Sequence, residues 1–276
     1  MKVISVAGHK KSGKTTLICR LVEALSASGR VGTVKHMIQH RFNPEDSDTG
    51  KQFDAGAQMV VGITKSELVT VAREPTLGKA LDALANSGMD FAVVEGDKDS
   101  SLPKIVLGEL DQSSGVSNVV AIFPEHDDVD IAALVELTSA QPDWVTLESL
   151  IRKVRSNPAI QKAGAIGTFM GIVREITGDV QTETLEFEQY EDLAQESIEQ
   201  ICTELKQKDG IMDVVIHHKT GTIGPGEDIV YIVVASSHRT QLFPVLSEAI
   251  ERVKSEVPIW KKEITLDGEF WVHDHA

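Results

Sequence analysis

The chain has 276 residues, 41% hydrophobic and 25% charged, which is enough for two folded domains and too apolar for a disordered, soluble tail. A formal net charge of −15 argues against broad, sequence-independent nucleic-acid binding, which needs a cationic surface. The two cysteines, Cys19 and Cys202, fit no metal-ligand spacing and suit reduced thiols; with no charged leader and no apolar run long enough for a bilayer, a cytoplasmic protein without a membrane role is expected.

Residues 3–7 form a short apolar run that reads as a strand, followed by a glycine-bearing loop. From Lys14 to about Ser28, Leu17, Leu21, Ala24 and Leu25 recur at helical spacing, and Gly29 ends the helix. A second strand covers Val31–Lys35. The polar stretch 40–54, with Pro44 and Gly50, reads as a long loop of the kind that often carries function. Apolar runs follow at 59–63, 68–71, 91–95, 105–107 and 119–123, with helices over 77–85 and 129–137. Strands alternating with helices predict an α/β domain with a mainly parallel sheet. The small, polar segment Thr138-Ser139-Ala140-Gln141-Pro142-Asp143 marks the boundary, giving domains 1–138 and 144–276.

Beyond it the pattern changes. Helices are expected over 147–154, 193–207 and 241–256, and strands over 163–173, 184–190, 212–218, 228–236 and 260–266. Turn signals at Gly221, Gly224-Pro225-Gly226 and Asp267-Gly268 complete a compact α+β sandwich.

Gly8-His9-Lys10-Lys11-Ser12-Gly13-Lys14-Thr15 matches the whole phosphate-loop pattern between a strand and a helix. Glycines let backbone amides turn toward phosphates, and the helix N-terminus adds partial positive charge. Lys14 neutralises β/γ-phosphate charge and Thr15 offers a hydroxyl to Mg²⁺. The apolar run ending in Glu95 supplies a metal-side carboxylate. Asp48 and Asp54 are further candidates, although for each the solvated loop aspartate is the preferred reading. The candidate nucleotide-binding residues are Gly8, Gly13, Lys14, Thr15, Thr16 and Glu95, with Thr15 and Glu95 on Mg²⁺. Thr64-Lys65-Ser66-Glu67 is a degenerate echo of a guanine-reading segment and reads as a chance match. His36 either touches ligand or caps its strand.

Thr33-Val34-Lys35-His36, Asp48-Thr49, Asp54-Ala55-Gly56-Ala57, Val94-Glu95-Gly96 with Lys98, and Leu102-Pro103-Lys104-Ile105 together resemble the molybdopterin-guanine dinucleotide biosynthesis protein B family. The similarity covers roughly residues 1–137. It implies GTP, Mg²⁺, homodimers, a guanylyltransferase partner and a helper role in joining GMP to molybdopterin. Where that family has an aromatic residue after Glu-Gly, this chain has Asp97.

In the second half, Lys254, Lys261, His238, Arg239 and Arg174 fall at or near element ends. Spacing alone leaves two readings: convergence on one anionic ligand, or scattered solvated cations, of which the second is the commoner. Trp260 beside Lys261 favours the first, because an aromatic neighbour strips water from an amine. Gly164-Ala165-Ile166-Gly167-Thr168-Phe169, Gly171, Val173-Arg174, Leu185-Glu186-Phe187-Glu188, Tyr190, His217-His218, Gly221, Ser236-Ser237-His238-Arg239, Lys254 and Pro258-Ile259-Trp260-Lys261-Lys262-Glu263 resemble the large, catalytic subunit of molybdopterin synthase over roughly residues 144–274.

That resemblance implies a dimeric α/β hammerhead-type fold. The implied reaction converts cyclic pyranopterin monophosphate to molybdopterin, with sulfur from the C-terminal Gly-Gly thiocarboxylate of a small ubiquitin-like partner. It also implies roles: Lys254 and Lys261 catalytic; Arg174, His238 and Arg239 on the cyclic phosphate; Phe169 and Ile250 lining the pocket; and Glu263 orienting a lysine.

His217 and His218, as strand neighbours, point to opposite faces and read as structural. Cys202 reads as core, and Cys19 as structural. His273 and His275 read as incidental. The resulting expectation is a molybdenum-cofactor enzyme with a GTP-binding partner domain. The rival is a GTP-dependent switch or scaffold joined to the same enzyme.

Overall fold

The computed structural model describes residues 1–37, 41–108, 116–124, 129–178, 180–266 and 268–272. The expected turn at Asp267, the loop start at His40, and His273 and His275 lie outside the described residues. The chain divides into two compact units, Met1–Thr146 and Leu147–Ala276.

In the first unit the elements are β1 (Lys2–Gly8), α1 (Lys14–Leu25), β2 (Val31–Lys35), α2 (Asp48–Asp54), β3 (Met59–Ile63), β4 (Leu68–Ala72), α3 (Leu77–Asn86), β5 (Phe91–Glu95), β6 (Lys104–Leu107), β7 (Val119–Phe123) and α4 (Ile131–Ser139). Five strands form one parallel sheet in the order β2-β5-β1-β6-β7. Strands buried on both faces read as continuous apolar runs, as the 91–94 segment does. Ile4, Val6, Val93 and Ile105 pack on Leu17, Leu21 and Leu25 of α1 and on Leu134 of α4, while Val3, Ala92 and Val94 face Leu81 of α3.

Three expectations change here. The polar stretch 40–54 contains the one-turn-plus helix α2, started by Ser47, whose hydroxyl accepts from the Gly50 amide at 2.9 Å. A Cβ at Gly50 would sit 1.9 Å from the Pro44 carbonyl, so only glycine allows this tight entry. The runs at 59–63 and 68–71 are strands, but they pair antiparallel in a separate hairpin rather than joining the parallel sheet. The expected linker is also no free connector. Lys2 bridges Asp143, the Met1 carbonyl accepts from the Trp144 amide at 2.7 Å, and the Trp144 indole donates to Asp82 at 2.8 Å. These contacts tie residues through Trp144 to the first unit, so the break falls after Thr146.

The second unit runs α5 (Leu147–Ser156), a 3-10 turn (Pro158–Lys162), β8 (Ala165–Ile172), β9 (Ile176–Thr177), β10 (Val180–Gln189), α6 (Glu191–Lys206), β11 (Ile211–His218), β12 (Gly221–Ile223), β13 (Asp228–Ser236), α7 (Arg239–Glu256), β14 (Ile259–Thr265) and β15 (Gly268–Val272). All its strand pairs are antiparallel, in sheets ordered β11-β13-β8 and β12-β10-β14-β15, as an α+β unit requires. Val214, Ile216, Val230, Ile232 and Val234 alternate along β11 and β13 onto one face. There they pack on α6 and α7 through Ile201, Leu205, Leu242, Val245, Ala249 and Val253. A Cβ at Gly167 would meet Leu242 at 2.8 Å, so glycine there lets α7 lie close on the edge strand β8.

Candidate functional site

Two groups of chemically active side chains form, one in each unit. In the first, β1 ends at Gly8 and α1 begins after Gly13, which adopts a left-handed φ of 86°. A Cβ at Gly8 would lie 2.5 Å from the Leu107 carbonyl at a φ of 153°. The loop therefore turns where only glycines fit. Lys14 folds its ammonium onto the carbonyls of Gly8, at 2.9 Å, and His9. Burial pushes the Lys14 amine below the ordinary lysine value; the Glu95 charge opposes that shift and the Lys35 charge adds to it. The Ser12 hydroxyl is buried in the loop with no hydrogen-bond partner among the described residues.

Glu95 arrives from β5, which lies beside β1 with Val6 opposite Glu95. Its carboxylate accepts from the Thr15 hydroxyl at 3.1 and 3.2 Å and pairs with the Lys35 ammonium at 2.9 Å. The structure thus brings Lys14, Thr15 and Glu95 together. Thr16 lies exposed in the first turn of α1. Thr15 and Glu95 are hard oxygen donors within one coordination shell of each other. They fit Mg²⁺, which typically takes one or two protein ligands and fills its shell with phosphate oxygens and water. The orphaned Ser12 hydroxyl and the glycine-walled loop fit a phosphate in the same place. When bound, Mg²⁺ supplies charge neutralisation between phosphate oxygens.

The other first-unit candidates go elsewhere. Asp54 accepts from Arg41 at 2.7 Å, and Asp48 is 98% exposed beside Lys51. Thr64-Lys65-Ser66-Glu67 is the β3–β4 turn, with the Thr64 hydroxyl accepting from the Ser66 and Glu67 amides. His36 stands 3.8 Å from Asp97, which follows Gly96 in a left-handed turn. Cys19 is exposed, which corrects its structural reading. Lys35 was not assigned a role from sequence. Its significance comes from the β2–β5 register, which sets it opposite Glu95.

In the second unit, α7 packs back along β13 and β8. Its start lies by Gly167, which pairs with Val234, and its end brings Val253 and Val257 into the cluster that contains Val230. Arg174 follows β8 at the end where Val173 exchanges backbone bonds with Gly226 and Glu227, just before β13. Arg174 and Lys254 therefore share one end of the unit. Lys261 enters from β14, whose Ile259 packs into the same core cluster. Lys254 is 52% exposed, with Glu251 3.6 Å away.

His238 and Arg239 sit elsewhere. His238 precedes α7, and Arg239 is its first residue, two positions earlier than the sequence pattern suggested. Arg239 and Lys254 are separated by about 22 Å of helix at 1.5 Å per residue. All the expected phosphate-binding cations cannot converge within one chain, because a rigid helix holds them apart. Phe169 and Ile250 lie between the two ends, Phe169 on the β8 face that Gly167 turns toward α7 and Ile250 against the α7 core.

On β14, Lys261 and Glu263 share the face of the buried Phe187 and Leu185, their partners on β10. Thr182, 3% exposed, donates its hydroxyl to the Glu263 carboxylate. Sequence reasoning missed Thr182, since an irregularity in the β10–β14 register brings it there. Trp260 points to the opposite face and packs edge-on against Tyr190 at 5.3 Å. It is no wall for the Lys261 amine, which corrects the sequence expectation. His217 stacks on Tyr231 and His218 meets Phe187 edge-on at 5.1 Å, on different elements of the packing. Burial pushes His218 below the ordinary histidine value, and raises the Cys202 thiol above its own. Among the described residues, no helix is long and apolar enough to cross a membrane.

Residues 3–136 match the family described as molybdopterin guanine dinucleotide synthesis protein B, and residues 140–256 match the family described as MoaE protein. A Haloferax volcanii protein described as a probable molybdopterin synthase is 37% identical over 277 residues, which is 99% of this chain and 100% of that protein. The molybdopterin synthase catalytic subunit of Bacillus subtilis is 42% identical over 130 residues, 47% of this chain and 80% of the relative. A solved MobB protein homolog from Bacillus stearothermophilus is 28% identical, spans 51% of this chain and 100% of its own, and has a TM-score of 0.40. The chain belongs to the molybdopterin synthase family of molybdenum cofactor biosynthesis, with a C-terminal unit of the MoaE catalytic type behind an N-terminal unit of the MobB type.

Proposed function

We propose that the second unit transfers sulfur from the C-terminal thiocarboxylate of a small ubiquitin-like partner to cyclic pyranopterin monophosphate, forming molybdopterin. What supports this reading is that Arg174 and Lys254 come toward the same end of the unit, while Lys261 and Glu263 share one face of β14. One thiocarboxylate sulfur attacks the pterin side-chain carbon whose bond to a phosphate oxygen breaks, opening the ring ester, and a second donor's sulfur takes the place of the oxygen on the neighbouring carbon, which leaves as water. Water then hydrolyses each acyl link, leaving sulfur on the pterin and a carboxylate on the donor. Lys254 lies against the donor tail and moves protons. Lys261 holds the pterin and acts as acid, oriented by Glu263. Arg174 meets the phosphate that leaves its ring ester as an anion, where a fixed cation stabilises developing charge. Because α7 separates Arg239 from Lys254, His238 and Arg239 serve a site completed by a second copy of the chain.

The first unit binds GTP with Mg²⁺ through Gly8, Gly13, Lys14, Thr15, Thr16 and Glu95, and assists a guanylyltransferase in attaching the nucleotide. The Thr15–Glu95 contact and the orphaned Ser12 hydroxyl favour nucleotide binding. They fit a switch or scaffold equally. GTP binding with no effect on nucleotide attachment is the outcome that selects the switch.

The test of the sulfur-transfer reading mixes the full chain with thiocarboxylated donor and cyclic pyranopterin monophosphate. Molybdopterin formed by the wild type and not by a Lys254→Ala, Lys261→Ala double variant supports it. No product from the wild type, with donor and substrate shown competent, overturns it.

A further inference from the structure

Lys35 closes β2 at the carboxyl edge of the parallel sheet, where ligands of open α/β sheets bind. The parallel register places it opposite Glu95, and its ammonium reaches the Glu95 carboxylate at 2.9 Å. That carboxylate also accepts from Thr15. The proposed metal position thus has Lys35 on one side and the Thr15 hydroxyl on the other. Lys35 is half exposed whereas Glu95 is only 16% exposed, so the lysine stays open to solvent while it pairs with a largely covered carboxylate. An ion pair with one partner this exposed contributes little to stability. Two ammonium groups, Lys14 and Lys35, also stand close enough for the charge of one to bear on the other, with the Glu95 carboxylate near both. Two ammonium groups and one carboxylate, counted among the described residues, leave positive charge beside a glycine loop, and a polyphosphate is the ligand that relieves it.

We propose that Lys35 is a second phosphate-binding cation of the nucleotide site, paired with Glu95 in the free protein and passed to the terminal phosphate when Glu95 takes up the divalent cation. Glu95 cannot serve both a metal ion and Lys35 at full strength, since the two cations compete for the same oxygens. The exchange releases the lysine where the negative charge of a third phosphate arrives. Lys14, held in the loop, serves the inner phosphates whether or not a third is present. Lys35 therefore makes the site discriminate a nucleoside triphosphate from a diphosphate. The inference rests on the nucleotide reading of the first unit and adds to it the residue that counts phosphates.

Equilibrium binding of fluorescent GTP and GDP to the full chain, with Mg²⁺, tests it in wild type, Lys35→Met and Lys35→Arg. Wild type is expected to prefer GTP. Lys35→Met should lose about tenfold or more in GTP affinity, the scale of one hydrogen bond to a charged group, while GDP binding changes far less. Lys35→Arg should restore most of the preference, because it keeps the charge. Thermal unfolding of the three proteins checks that the fold is kept. Equal loss for GTP and GDP in Lys35→Met would mean that Lys35 only holds Glu95, and overturns the inference. Unchanged binding of both nucleotides overturns it too, while leaving the nucleotide reading intact. A wild type that binds neither nucleotide overturns both.

Discussion

The two candidate sites are built in opposite ways. In the first unit most of the candidate machinery is contiguous: Gly8 through Thr15 form the loop, and Glu95, with Lys35 against it, comes from other strands. In the second unit no two of Arg174, Lys254 and Lys261 share an element, and Thr182 reaches Glu263 across a strand pair. A contiguous loop is set by local backbone geometry, so its weak points are glycines. A dispersed site is set by packing, so its weak points are the residues that hold others in place.

The strongest way to break the comparison is to remove a reacting group from the dispersed site. Lys261→Ala should lower molybdopterin formation by about a hundredfold or more, the scale of lost acid–base catalysis, while GTP binding stays at the wild-type level. A parallel loss of GTP binding would show that the variant has misfolded. In the contiguous site, Gly8→Ala forces a Cβ to within 2.5 Å of the Leu107 carbonyl in a backbone region that side chains avoid. Calorimetry should show about 1–3 kcal/mol lost from the first unit, and nucleotide binding should fall with it.

Lys104 sharpens the contrast from inside the first unit. Its side chain is fully buried and its ammonium donates to the carbonyls of Ser100 and, at 2.9 Å, Leu102. Burial pushes its amine down, with Asp97 and Asp99 opposing. Lys104→Met keeps the length but takes the lysine donor from both carbonyls, of which Ser100 keeps the Ser117 hydroxyl, so denaturant titration should register a loss of about 1–3 kcal/mol. Thr182→Val should act on turnover rather than on the fold. We expect kcat to fall about fivefold, matching roughly 1 kcal/mol for a lost hydrogen bond, with Thr182→Ser restoring it. An effect on KM alone would point to substrate contact instead.

The smallest effect is a pH dependence. His218 is partly buried and its folded-state value lies below the ordinary 6.5, so the unfolded chain binds the proton first as pH falls. Stability of the second unit is fully present above that value and declines as pH drops through and below it. His218→Phe should flatten this acid limb in a melting-temperature series.

Much of the architecture was legible in sequence. Apolar runs marked the strands β1, β5 and β7, and the loop between β1 and α1 declared its own chemistry. Periodicity could not say which sheet a run joins. The segments 59–63 and 68–71 look like core strands, yet their turn, pinned by Thr64, folds them on each other. α2 was hidden because its seven residues hold one large apolar side chain, Phe53, and so show no periodicity, and its start depends on Ser47 and on Gly50 passing close to Pro44. The pairing of Lys35 with Glu95 joins strands distant in the chain, which no local pattern reports. With Trp260 and Lys261 the error ran the other way: neighbours in a strand were read as neighbours in space.

The length of α7 has a genetic consequence. If one reacting centre needs Lys254 from one copy and Arg239 from another, the two defects need not add. A chain carrying Arg239→Ala and a chain carrying Lys254→Ala, each inactive by itself, would form mixed pairs with one intact centre and one doubly damaged centre. Random pairing of equal amounts should restore roughly a quarter of the centres. Such complementation between two dead alleles is a property of a helix too long to bring both of its ends to one ligand.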